Sequence, residues 1–185
     1  AFSAKFPGIE LVLIEERMNM LRELVKSGKA DLAITYQKED PALEYSLILE
    51  NPVYLQVPPT FWRERMAPLP AAKRKQLLPE LLNSQTFILL KKGRGMREVA
   101  DQLLSHFQIE PGKIMETDNI HLAKGLVRLD KGFTLVPDIS IRRSLHPSRE
   151  ADHYCQVKDY PTKRSLYCCY RKSGYLTEAE SYIIK

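Results

Sequence analysis

Apolar positions along the chain follow two different periods. Ile9 to Ile14, IELVLI, is an almost unbroken aliphatic run, the pattern of a strand covered on both faces. Polar Glu15, Glu16 and Arg17 follow, and then Met18, Leu21, Leu24 and Val25 recur at helical spacing. Gly28 stands where a left-handed residue closes a helix, with Lys26 and Lys29 near the negative end of the dipole. Leu32 to Ile34 reads as the next buried strand, ending in Thr35, Tyr36 and Gln37. Strand, helix and strand in so short a span predict a βαβ unit with parallel strands and a right-handed crossover.

The same order returns further on. Phe87 to Leu90 (FILL) predicts a strand, KKGRG a loop, and Val99, Leu103, Leu104 and Phe107 a helix closed by Pro111-Gly112. Ile114-Met115 sits in a short strand. Asp118 is placed to cap a helix bearing Leu122, Leu126 and Val127. Gly132 ends that helix, Phe133 to Val136 (FTLV) is a strand, and Pro137-Asp138 opens a helix with Ile139, Ile141 and Leu145. "LRELVKSGKADLAI" and "LAKGLVRLDKGFTLV" thus share one design, which predicts two lobes built alike.

Pro52 to Pro59 (PVYLQVPP) is an extended segment crossing between lobes, because proline forbids helix and pushes its neighbour towards β. Mixed helix and loop follow. Tyr154 to Val157 and Ser165 to Tyr170 read as strands, and a last helix starts near Thr177. The expected organisation is lobe I from residues 1–56, lobe II from 57–157, and a return to lobe I over 158–185. In open parallel sheets, ligands bind beyond the carboxyl ends of strands, where helix N-termini also point. Glu15 to Asn19, Thr35 to Gln37, Lys91 to Arg94 and Thr117 to Asn119 are polar strand tips of this kind. With two lobes, they are expected to face one cleft.

Composition narrows the function. The 185 residues are 44% apolar and 28% charged, an ordinary globular balance, and no apolar run is long enough to span a bilayer as a helix. AFSAKFPG lacks the apolar core of a secretory signal and an initiating Met, so the chain reads as a fragment or a processed product. The three cysteines, Cys155, Cys168 and Cys169, give no disulfide framework and no zinc spacing, and read as small buried hydrophobes. The net charge of +5 is spread along the chain, as on a solvated surface rather than a nucleic-acid footprint.

With these pieces in order, the residues resemble the effector-binding domain of LysR-type transcriptional regulators. "FPGIELVLIEE", "LRELVKSGKADLAITYQ", "ENPVYLQVPP", "TFILLKKGRGMREVADQLL", "METDNIHLAKGLVRLDKGFTLVP" and "YRKSGYLTEAESYIIK" carry the resemblance in the family's order over nearly the whole chain. It implies an α/β fold of two Rossmann-like lobes joined by two crossing strands, type 2 periplasmic-binding-protein-like, with a small effector in the cleft. It also implies homodimers or tetramers in the cytoplasm, with DNA bound through an N-terminal winged helix-turn-helix. That module is absent from this chain, and the first βα unit is truncated.

By position, the family's effector loops fall at Arg17, Met18 and Asn19; at Thr35 and Tyr36; at Lys92, Gly93 and Arg94; and at Thr117, Asp118 and Asn119. Each competes with a structural role: Thr35 and Asn119 as caps or turn bonds, Tyr36 as wall. KKGRG invites a phosphate-loop reading but lacks the Walker spacing, so the expectation is a carboxylate or phosphate effector held by Arg94, Lys92 or Arg17. No catalytic set, metal site or cofactor is read from the sequence. Ser140 and Ser144 share a helix with His146 two residues beyond Ser144, where side chains face apart, and His106 reads as surface or core edge. A ligand sensor is the first reading; a solute-binding protein of a transporter stays open, and an enzyme on a related fold lacks its acid/base set.

Overall fold

The computed structural model describes residues 2–36, 40–142, 153–172 and 174–184. Its helices are α1 (Phe2–Lys5), α2 (Met18–Lys26), α3 (Pro59–Phe61), α4 (Gly95–His106), α5 (Ile120–Arg128), α6 (Asp138–Arg142) and α7 (Glu178–Ile184). Its strands are β1 (Ala33–Thr35), β2 (Leu43–Val57), β3 (Gln76–Leu77), β4 (Thr86–Leu90), β5 (Lys113–Thr117), β6 (Thr134–Pro137), β7 (His153–Val157) and β8 (Lys163–Arg171). Two compact units result, Ala1–Glu50 with Ser165–Lys185, and Asn51–Arg164. The chain passes between them inside β2 and inside β8.

In the first unit, β8 lies between β1 and β2. β1 and β8 run antiparallel, with Ala33 opposite Cys169 and Thr35 opposite Tyr167. α2 lays Leu21 and Val25 on the face formed by Ala33, Leu43, Tyr45 and Cys169. It stops as the sequence predicts: Gly28 takes φ +73°, and the Lys29 and Ala30 amides donate to the Leu24 carbonyl at 2.9 and 3.1 Å. α7 begins with a reciprocal cap, in which Thr177 N donates to Glu180 Oε2 at 2.6 Å and Glu180 N donates to Thr177 Oγ1 at 3.2 Å.

One expectation fails in this unit. Ile9 to Ile14 form no strand, and Leu11, Val12 and Leu13 are 52%, 72% and 83% exposed. No described residue supplies a neighbouring strand, so the run has neither a ladder nor a layer to bury it. The parallel pairing expected of the first βαβ is therefore not seen: β1 pairs with the antiparallel β8 instead.

The second unit is built on the repeated grammar of β4, α4, β5, α5 and β6. β4 and β5 pair in parallel, from Thr86 opposite Lys113 to Leu90 opposite Thr117. Ile88 N donates to Phe133 O at 2.7 Å and Phe133 N to Thr86 O at 2.9 Å, which joins β4 to the start of β6. β6 and β7 both run antiparallel to the second half of β2, and β3 pairs in parallel with β7. Alternation along β4 assigns its two faces. Phe87 and Leu89 join the core with Leu103 of α4, Leu55, Phe133 and Leu135, whereas Ile88 meets Ala123 and Val127 of α5.

Helix boundaries differ in detail from the sequence reading. α4 closes at Gln108, in the left-handed region at φ 52°, ahead of Pro111-Gly112. α5 closes at Asp130, φ 57°, with Lys131 N donating to Leu126 O at 3.0 Å. Asp130 tolerates that backbone, and its carboxylate accepts from Thr60 N and Oγ1 at 2.8 and 3.0 Å. Gly132 serves strand packing instead. A Cβ there would lie 2.5 Å from the Thr86 carbonyl oxygen, so the glycine permits the β4–β6 approach. Trp62–Met66 form a π-helical turn, and the three cysteines are buried. Gln37, Ser144, Leu145 and His146 lie outside the described residues.

Candidate functional site

Parallel pairing sets the site geometry in the second unit. Because Leu90 is opposite Thr117, the chain leaves both strands side by side, and Lys91 N donates to Thr117 O at 3.0 Å. The loop Lys91 to Arg94 and the loop Thr117 to Asn119 are thereby brought together. Lys91 Nζ lies 2.6 Å from Asp118 Oδ2, and Arg94 Nε lies 3.8 Å from Asp118 Oδ1. Gly93 adopts φ +85° with open space around its Cα, which lets the loop turn into α4. Arg94 is the N-cap residue of α4 without a side-chain cap bond.

Asn119, rather than Asp118, caps α5. Its Oδ1 accepts from His121 N at 2.8 Å and Leu122 N at 3.3 Å, and its own amide donates to Thr117 Oγ1 at 3.1 Å. The cap therefore ties up Asn119 Oδ1, and Asp118 is left to the cations. Two helix N-termini, a Lys–Arg pair and one carboxylate thus share one polar surface.

Arg97 supports this surface from beneath. It is 6% exposed, donates to Leu90 O at 3.3 Å and to Asp101 Oδ1 at 2.8 Å, and bonds the Glu116 carboxylate. Those carboxylates, Glu116 first, hold its guanidinium above the ordinary arginine range. Arg97 escaped the sequence-based site, and Lys91 was read as part of a strand tip but not as an effector contact. Lys91 adjoins Lys92 in the same tip, but only the β4–β5 register reveals which of the two meets Asp118. Lys92 is exposed.

In the first unit, α2 leads through a turn into β1 and packs back on it, so the helix N-terminus returns towards the strand's carboxyl end. Arg17 is the N-cap residue and Met18 and Asn19 open the helix, with Arg17 and Asn19 exposed. Thr35 ends β1 fully buried. Its hydroxyl faces the Cys169 thiol but makes no hydrogen bond of good geometry. Tyr36, partly exposed, follows. Arg22 Nη1 and the Tyr45 hydroxyl are likewise buried without a hydrogen-bond partner among the described residues.

Among the described residues, no three His, Cys, Asp or Glu side chains gather as a metal site, and no helix is long and apolar enough to cross a membrane. His106 packs against Phe107 and Tyr160, with ring centroids 4.7 and 4.6 Å away.

Known proteins share this fold. The model of the LysR substrate binding domain matches residues 1–182. The uncharacterized HTH-type transcriptional regulator YcgK of Bacillus subtilis is 28% identical over 187 residues, covering 95% of this chain and 56% of that protein. The chain spans about half the length of the curated relatives it matches. The CcmR regulatory domain of Synechocystis PCC6803, solved in complex with 2-PG, matches with a TM-score of 0.78 at 20% identity, over 98% of this chain and 84% of that one. The BenM effector binding domain with its effector benzoate matches with a TM-score of 0.73 at 21% identity, over 98% and 82%. These likenesses show the mixed α/β fold of type 2 periplasmic-binding-protein character. The chain belongs to the LysR substrate binding domain family, whose members are transcriptional regulators and not enzymes.

Proposed function

We propose that this chain is the effector-sensing part of a LysR-type regulator and that it binds a small anionic ligand without changing it chemically. The observation that carries the reading is the β4–β5 register, which sets Lys91 and Arg94 beside the N-termini of α4 and α5. Lys92, Gly93, Arg94, Thr117, Asp118 and Asn119 form the contact surface in the second unit. Arg17, Met18, Asn19, Thr35 and Tyr36 supply that of the first. Benzoate, the effector named for BenM, is a carboxylate, the ligand class that such donors favour.

Binding biases the protein between two states and thereby the geometry of the attached DNA-binding modules. DNA contact belongs to an N-terminal winged helix-turn-helix outside this chain, and the protein works in the cytoplasm as a homodimer or tetramer, away from membranes. The similar proteins include named regulators, which favours sensing over delivery of a solute to a transporter. Calorimetric titration with benzoate and related carboxylates tests the reading. Arg94→Ala should weaken binding of a recognised anion by roughly tenfold or more, the worth of a charge-assisted hydrogen bond. Unchanged affinity removes Arg94 from the site.

A further inference from the structure

The cation pair at the tip of β4 and β5 already holds a carboxylate, supplied by the chain itself. Asp118 directs Oδ2 to Lys91 Nζ at 2.6 Å and Oδ1 towards Arg94 Nε at 3.8 Å. One oxygen on each cation is the arrangement a ligand carboxylate would take. The three side chains are each about half exposed, at 56%, 58% and 50%, so a solute reaches them without any opening of the core.

We propose that Asp118 is a built-in competitor for the effector: it neutralises Lys91 and Arg94 in the free protein, and the effector's carboxylate takes over both cations by turning the Asp118 side chain aside. This rests on the proposed placement of the effector's acidic group at this tip. The backbone around Asp118 is held independently of its carboxylate, through the Asn119 amide on Thr117 Oγ1 and the Asn119 side chain on the α5 amides. Displacement is therefore a side-chain rotation and leaves the helix cap in place.

Two consequences follow from competition. An intramolecular carboxylate is present at high effective concentration, so every incoming anion binds more weakly than the cations alone would allow. The handicap is the same factor for every anion that must displace Asp118 from both cations. Only an anion with enough further contacts to the protein still occupies the site at low concentration, so Asp118 sets a threshold of affinity.

Acetate is the probe for the full 185-residue chain, with side-chain nitrogen resonances of Lys91 and Arg94 followed by NMR in the unsubstituted protein and Asp118→Asn, and that of Lys91 in Arg94→Ala. Asp118→Asn keeps the shape of the residue and removes its charge. Half-saturation by acetate should fall by about two- to fivefold in Asp118→Asn, as expected for freeing exposed ion pairs. Equal or weaker acetate binding by Asp118→Asn overturns the competitor role while leaving the site itself standing. Acetate shifts that miss Lys91 and Arg94 in both the unsubstituted protein and Asp118→Asn overturn the placement of the effector, and the competitor with it.

Discussion

Arg97, on α4, donates through Nη1 to the carbonyl oxygen of Leu90, the last residue of β4, at 3.3 Å. The same guanidinium bonds Asp101 on its own helix and Glu116 near the end of β5. A single buried side chain thus fixes the ends of both strands from which the proposed effector loops depart. Asp101 and Glu116 are 48% and 44% exposed, so water takes over their carboxylates when the arginine is removed. The carbonyl of Leu90 loses a donor. Arg97→Met should therefore lower stability by about 1–3 kcal/mol, measured by thermal or urea unfolding. Arg97→Lys should recover little of it, because an ammonium lacks the planar fork that reaches three acceptors at once.

Gly93 and Gly132 separate backbone strain from steric conflict. Both have positive φ, +85° and +148°, but only Gly132 sits against another strand, where a Cβ would meet the Thr86 carbonyl at 2.5 Å. Gly93→Ala should cost about 1–2 kcal/mol from strain alone. Gly132→Ala adds the displacement of β4 from β6 and should cost about 2–5 kcal/mol. Denaturant midpoints measured for both variants check the order; equal losses would mean that the β4–β6 approach tolerates a methyl group.

The contrast between Gly28 and Gly132 shows what the chain discloses before it folds. Gly28 closes α2 in the expected left-handed conformation, because the stop signal is local: a helical run, a glycine and nearby lysines. Gly132 looks the same in one dimension, yet α5 stops two residues earlier at Asp130, whose carboxylate is held by Thr60 from a distant part of the chain. The strands FILL and FTLV were legible because burial on both faces leaves an unbroken apolar run. IELVLI carries the same signature and forms no strand among the described residues, since periodicity states what a segment is able to bury and not what is there to cover it. Site legibility follows the same rule. Thr117 to Asn119 were placed correctly at a strand tip, but the partnership of Asp118 with Lys91 depends on a register between strands that no spacing within one segment specifies.

Burial makes the fold sensitive to alkaline pH through the thiols. Cys155 is 1% exposed, and desolvation pushes its pKa from 9.0 up to about 12; Cys168 is pushed to about 11. The folded state keeps these protons while the unfolded chain releases them above pH 9, so unfolding is favoured progressively as pH rises from 9 towards the folded values. The loss is about 1.4 kcal/mol per pH unit for each thiol within its window. Below pH 9 both states are protonated and the thiols confer no pH dependence. Cys155→Ala, although less stable at neutral pH through its cavity, should lose stability more slowly between pH 9 and 12. Urea unfolding at closely spaced pH values measures the two slopes, and identical slopes would remove Cys155 from the alkaline transition.

Val12 and Leu13 present the largest apolar exposure of the run from Ile9 to Ile14, at 72% and 83%, with Leu11 at 52% beside them. An aliphatic segment outside any sheet, with one charge at Glu10 and its apolar side chains in water, is a template for pairing with another chain. The 185-residue protein should therefore self-associate as its concentration rises, and do so more strongly at high salt, where the net charge of +5 is screened. Replacing Val12 and Leu13 together by lysine breaks the apolar run with two like charges. The folded unit should tolerate the change to within about half a kcal/mol, because neither side chain belongs to a buried cluster. Sedimentation velocity across a concentration series reads the difference: a growing fraction of larger species for the unsubstituted chain, and a smaller one for the double variant at the same melting temperature. Equal association by both proteins would place the contact elsewhere. A lowered melting temperature in the variant would show instead that these residues are covered in solution, by the association itself or by a local rearrangement, and the concentration dependence of that melting temperature distinguishes the two.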